Sequence, residues 1–170
     1  MEKEFSRRSF LKVGTTAALG LAVAPSMLMG RSKKKDAAPK PLDRKLKVLG
    51  VGIGGRGASV LKELETEEII GLCDVDWKYA AHVFERYPNA KRYNDYKVMY
   101  AELLNEADAV VVATADHTHA IIAAEAIVAG KHVYVEKPLT HTVYESRLLT
   151  KLAAKHKVAT QMGNQGASGE

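Results

Sequence analysis

The tightest constraint on this chain is a hexapeptide, Gly52-Ile53-Gly54-Gly55-Arg56-Gly57, set at the end of an apolar run. Glycines spaced G-x-G-x-x-G allow a turn too tight for side chains, a close approach by a bulky group, and a helix that starts hard against the strand behind it. The pattern alone is weak, and its meaning comes from its flanks. Before it, "LKVLGVGIG" over 46–54 reads as a buried parallel strand. After it, Gly57, Val60, Leu61 and Leu64 recur on one helical face. A strand, a glycine turn and a helix in that order aim the free N–H groups and positive end of the helix at the turn, which suits a phosphate.

The same alternation runs on. "EIIGLCDVD" (68–76) reads as a second strand, and Ala80, Val83, Phe84 and Tyr87 mark the next helix. "AKRY" (90–93) is a short third strand, followed by a helical stripe of Tyr100, Leu103, Leu104 and Ala107. "ADAVVVAT" (107–114) is a fourth strand, and a helix from Ala120 to Ala129 stops at Gly130. "KHVYVE" (131–136), a helix from Val143 to His156 and "KVATQMG" (157–163) complete six strands with helices between them. This predicts an α/β fold with a doubly wound parallel sheet, all strand-to-helix loops lying on the one edge where ligands bind. Asp74, 22 residues after Gly52, falls where an acid bonds the adenosine ribose of a dinucleotide. A carboxylate there repels a 2′-phosphate, so the expected cofactor is NAD, with NADP disfavoured. Lys78 and Arg56 are near enough in sequence to weaken that preference. Asp76 is expected to cap the second helix, and Trp77 and Tyr79 to cover the adenine end or to pack.

Charge sorts the chain into two parts. Residues 1–35 carry eight Lys/Arg against two Asp/Glu, whereas residues 36–170 carry 17 against 18. The basicity therefore belongs to the leader, and the remainder has no surplus with which to track nucleic-acid phosphates. In the leader, Arg7 and Arg8 precede Phe10-Leu11-Lys12 and the uncharged stretch Val13–Gly30. This resembles a twin-arginine export signal, read by a translocase that passes folded proteins. Residues 1–30 are assigned to the signal, 31–43 to a polar linker and 44–170 to one nucleotide-binding domain. The expected location is periplasmic or exported, with membrane anchoring as the alternative if the signal stays uncleaved. Ala22-Val23-Ala24 has the small-residue cleavage pattern, but Pro25 follows it directly. Cys73 is the only cysteine, which excludes an intrachain disulfide, and it reads as a core residue. His117 and His119 have a metal-like spacing without a third ligand, so no metal is expected. His82, His132, His141 and His156 read as structural or solvated.

The segments "GVGIGGRG", "CDVD", "ATADHTHA", "VYVEKPLT" and "QMGNQG", in this order over 45–166, are similar to those of the Gfo/Idh/MocA oxidoreductases. The exported branch with a twin-arginine leader is the nearest likeness. The resemblance implies a Rossmann domain with Gly52, Gly54, Gly55, Arg56 and Gly57 at the pyrophosphate and Asp74 at the adenine ribose. It places Thr114 to His119 beside the nicotinamide-side ribose, with His119 bonding the cofactor or capping the next helix. Thr114-Ala115 stands where the family often has Thr-Pro. Glu136 and Lys137 would lie by the nicotinamide, the first bonding cofactor hydroxyls and the second stabilising a developing alkoxide. Pro138 would aim the lysine, and Asn164 would lie near the far edge. The implied substrate is a sugar or polyol, processed by dehydrogenation or by NAD-assisted glycoside cleavage. The family's second, mostly β domain supplies an acid/base histidine and is not found in these residues. The chain is therefore expected to be a truncated nucleotide-binding module without turnover of its own, with homo-oligomers formed by the complete protein.

Overall fold

A computed structural model describes residues 43–168. The assigned signal, and the linker up to Leu42, lie outside the described residues. The first apolar run forms β1 (Lys47–Val51), buried from Val48 onward, and the glycine turn leads into α1 (Arg56–Lys62), which buries Gly57, Val60 and Leu61. β2 (Glu68–Cys73) and α2 (Ala81–Arg86) follow, then β3 (Lys91–Tyr93) and α3 (Tyr96–Leu103). Asp95 caps α3 by accepting from the Lys97 N–H. β4 (Ala109–Val112) leads through a 3₁₀ turn (Asp116–Thr118) into α4 (His119–Val128). β5 (His132–Glu136), α5 (Val143–His156), β6 (Thr160–Gly163) and a final turn, α6 (Gln165–Ser168), complete the order.

The strands form one six-stranded sheet in the order β3-β2-β1-β4-β5-β6, every pair parallel. The expected doubly wound fold is therefore present, and its strand order reverses between β1 and β4. Strand ends fall inside the apolar runs because local chemistry stops each ladder. Gly52 turns away at a positive φ of 76°, a conformation glycine adopts without strain, so β1 ends at Val51. Lys157 closes α5 in the left-handed region, at φ 56°, and delays the start of β6. α5 begins with a capping box, in which Thr142 and Glu145 bond each other's backbone N–H groups.

Alternate residues of the strands feed two cores. Leu49, Val51, Val110, Val112, Val133 and Val135 pack against residues of α3, α4 and α5. Val48, Leu72 and Val111 pack on the other face with Val60 and Leu61 of α1 and Val83 and Phe84 of α2. Cys73 is buried in the first core, and burial pushes its thiol up to about 12, which leaves it inert as a nucleophile. On the second face a groove of about 600 Å³ runs beside α1 across β4, β5 and β6, lined by Leu46, Val48, Val111 and Tyr134 among others.

The amino edge of the sheet is held by Asp108. Its carboxylate accepts from Arg44 Nη1 and Nη2 at 2.6 and 2.8 Å and from the Lys47 N–H at 2.8 Å. Asp108, just before β4, thus ties the segment before β1 to the start of β4.

Candidate functional site

The loops after β1, β2, β4, β5 and β6 meet at the carboxyl edge. The glycine loop is the most closely packed of them. A Cβ on Gly57 would lie 2.2 Å from the Gly52 carbonyl oxygen, and one on Gly52 would lie 2.6 Å from the Thr114 nitrogen. The turn thus nests against both its own helix and the loop after β4, and no side chain fits at either glycine. Gly55, the N-cap of α1, supplies no side-chain cap, and an uncapped helix start of this kind suits a phosphate.

Asp74 reaches the same loop. Its Oδ2 accepts from the Gly54 N–H at 2.8 Å and its Oδ1 from the Asp76 N–H at 3.0 Å. The carboxylate therefore stands beside the phosphate cradle, where ribose hydroxyls can reach it. Asp76 accepts from the N–H groups of Lys78 and Tyr79, which places its cap on the turn leading into α2, ahead of the first helical residue, Ala81. Trp77 and Tyr79 part company. Trp77 packs edge-on against Phe84, with ring centroids 5.6 Å apart. The exposed Tyr79 ring lies over the glycine loop, so close that a Cβ on Gly54 would meet its Cδ1 at 2.4 Å.

At the end of β5 the charges left unexplained by an apolar strand find partners. Glu136 is 4% exposed. Its Oε1 accepts from Arg56 Nε at 3.3 Å, from the Tyr134 hydroxyl at 3.2 Å and from Gln165 Nε2 at 2.7 Å. Burial and the neighbouring Glu136 charge raise the Tyr134 hydroxyl above its ordinary pKa. Arg56 and Glu136, expected separately at pyrophosphate and at cofactor hydroxyls, are thus an ion pair across the edge. The pair uses Arg56 Nε alone, and the exposed side chain keeps its terminal nitrogens without partners among the described residues. Tyr134 was legible in principle, since residues two apart share a sheet face. Gln165 carried no periodic signal that could have revealed it. A Cβ on Gly163 would sit 2.3 Å from the Tyr134 oxygen and 2.7 Å from Glu136 Oε1, so this glycine makes room for the network.

Lys137 is exposed, and its ammonium has no partner among the described residues; the Lys137–Pro138 peptide is cis. Thr114 accepts a hydrogen bond from the Thr118 hydroxyl at 2.7 Å. His119 does not cap α4. Its ring is 1% exposed, with Nδ1 2.8 Å from the Pro138 carbonyl oxygen and Nε2 3.0 Å from that of Thr114. Asn164 follows β6 at the same edge, and its N–H donates to Met162 O at 3.0 Å. His132 is structural, accepting the Ala159 N–H at 2.9 Å on Nδ1.

A cradle that admits no side chain, a carboxylate beside it and an open cation across the strand-order reversal fit a dinucleotide. Comparison with known proteins agrees. Residues 45–164 match the oxidoreductase family GFO_IDH_MocA, NAD-binding Rossmann fold. An alpha-N-acetylgalactosaminidase of Shewanella oneidensis is 32% identical over 161 residues, covering 82% of this chain and 35% of that enzyme. GenD2 from gentamicin A biosynthesis, solved in complex with NAD, superposes with a TM-score of 0.63 at 30% identity, covering 73% of this chain and 36% of its own. The WlbA dehydrogenase of Chromobacterium violaceum, solved with NADH and UDP-GlcNAcA, gives 0.63 at 28% identity, over 75% and 37% of the two chains. The chain thus spans about a third of the length of these relatives. With its glycine cradle, the Asp74 carboxylate beside it and its lysine after β5, it belongs to the Gfo/Idh/MocA oxidoreductase family, as an NAD-binding Rossmann domain.

Proposed function

We propose that this chain is the NAD-holding part of an enzyme that moves hydride between a sugar or polyol hydroxyl and nicotinamide. The observation that carries the reading is Lys137, an unpaired ammonium on the edge shared with the glycine cradle and Asp74. When bound, NAD supplies a hydride acceptor. Asp74 takes the adenosine ribose hydroxyls, and the cradle N–H groups with the terminal nitrogens of Arg56 take the pyrophosphate. Thr114 and Asn164 border the nicotinamide side. Lys137 stabilises the negative charge that develops on the substrate oxygen. Glu136, buried in its network, holds Arg56 and the start of the Lys137 loop in place. The base that takes the hydroxyl proton is expected from the part of the relatives' length that this chain does not span. The whole protein is expected to be a homo-oligomer, exported in folded form by the twin-arginine translocase.

A second reading is favoured by the alpha-N-acetylgalactosaminidase similarity. In it, loss of hydride from a ring hydroxyl to bound nicotinamide would acidify the neighbouring C–H, elimination would expel the glycosidic oxygen, and addition of water to the double bond with return of the hydride would release the sugar without net NADH. A protein containing this chain, assayed on a panel of sugars, polyols and glycosides, separates the two. Net NADH accumulation identifies dehydrogenation, and sugar release without it identifies cleavage. The 170-residue chain alone is expected to bind NAD and turn over neither class, because positioning and general acid–base catalysis together supply most of the rate. Saturable NADH formation by this chain, abolished in Lys137→Ala, overturns that expectation.

A further inference from the structure

We propose that His119 is a positioning residue, a strut that ties the loop after β4 to the loop after β5 and so shapes the half of the edge that receives the nicotinamide mononucleotide. The inference rests on the NAD-binding reading of this edge. A doubly wound sheet holds a dinucleotide in two halves, one on each side of the strand-order reversal. Here the reversal lies between β1 and β4. The glycine loop and Asp74 occupy the β1–β2 side, which leaves the loops after β4 and β5 to build the other.

Those two loops need a tie of their own. The ladder between β4 and β5 ends at the Val112–Val135 pair. Beyond that rung, His119 is the one side chain among the described residues whose hydrogen bonds reach both loops, through the carbonyls of Thr114 and Pro138. The strut is stiff at its base, because His119 is the first residue of α4. It is also sealed, since the ring is 1% exposed. Its two partners adjoin what the site needs: Thr114 contributes its own hydroxyl to the loop, and Pro138 follows Lys137 directly. A neutral imidazole has one N–H and donates to one of the two carbonyls, whereas the doubly protonated ring donates to both. In both forms each ring nitrogen is turned to protein, so the residue acts on a ligand through the loops it holds. A histidine that merely filled core volume would need neither carbonyl.

The test is calorimetric titration of the full 170-residue chain with NAD and, separately, with ADP, which engages only the glycine-loop half. His119→Phe keeps a ring of similar size and removes both nitrogens. It is expected to weaken NAD binding about tenfold, the effect of one buried hydrogen bond left unmade, while ADP binds as it does to wild type. His119→Gln, which keeps a side-chain N–H donor, is expected to fall between the two. If the Phe variant does not fold, the Gln variant is read against the same two nucleotides. NAD and ADP weakened alike, or neither weakened, overturns the proposal. Wild-type chain that binds neither nucleotide overturns the cofactor reading and the strut with it.

Discussion

Asp74 shows how much one carboxylate decides. Its oxygens accept from Gly54 N and Asp76 N, and a ribose with two hydroxyls extends that arrangement without a new charge. A 2′-phosphate would bring two negative groups together. NAD is therefore expected to bind more tightly than NADP, and Asp74→Ala to weaken NAD by roughly tenfold to a hundredfold while relaxing the preference. Calorimetry with both nucleotides checks it, and wild type that binds NADP equally well or better sinks the assignment. Glu136 behaves differently, since its oxygens face protein. Glu136→Gln replaces an acceptor oxygen with a donor amide beside Arg56, Tyr134 and Gln165. The expected cost is about 1–3 kcal/mol of stability from mispaired buried groups, read as a lower midpoint in urea. An unchanged midpoint would mean that the network adds nothing net.

Among the elements, β1, β4 and β5 are fastened at opposite edges by different means. The carboxyl edge is left open for a ligand, whereas the amino edge is closed by Asp108, whose backbone carbonyl also accepts from His132 N at 3.1 Å. Its hydrogen bond with Arg44 holds the Asp108 carboxyl well below the usual carboxylate range, with burial opposing and the Lys47 N–H assisting. A folded pKa depressed below the unfolded value near 3.8 contributes stability above about pH 4 and loses it as pH falls further. Asp108→Asn is therefore expected to cost about 1 kcal/mol at neutral pH, a modest figure because Arg44 is half exposed. The gap between variant and wild type should close as the pH drops below about 4. Thermal melts of both proteins across pH 2 to 7 measure it, and a gap that is constant with pH refutes the ion-pair account.

At the scale of the whole molecule, the groove beside α1 lies on the second face of the sheet, across β4, β5 and β6. The helices of the described residues account for the other face and for the β1–β3 side. Outside the described residues, the proposed export signal makes its own prediction. Paired guanidinium groups are what the twin-arginine receptor reads, and an ammonium does not reproduce their planar, forked donors. Replacing Arg7 and Arg8 with lysine is expected to hold the protein in the cytoplasm, as measured by fractionation. Unchanged periplasmic recovery would assign the leader to another route.

The sequence by itself determined the fold class, the strand and helix order, the glycine turn and the acid placed beside it. These rest on short-range periodicity and on glycines whose geometry is local: Gly52 turns, and Gly57 touches Gly52, five residues away. Only the tertiary structure decided who meets whom at the edge. Arg56 and Glu136 are 80 residues apart in sequence, and their pairing depends on the strand order that brings the loops after β1 and β5 together. The direction of the His119 ring, inward to two carbonyls, was hidden for the same reason, because Pro138 lies 19 residues further on and across a helix. Periodicity reports which face of an element is buried. It does not report which polar groups from distant elements arrive at the same point, and in a parallel sheet that is settled by the crossovers.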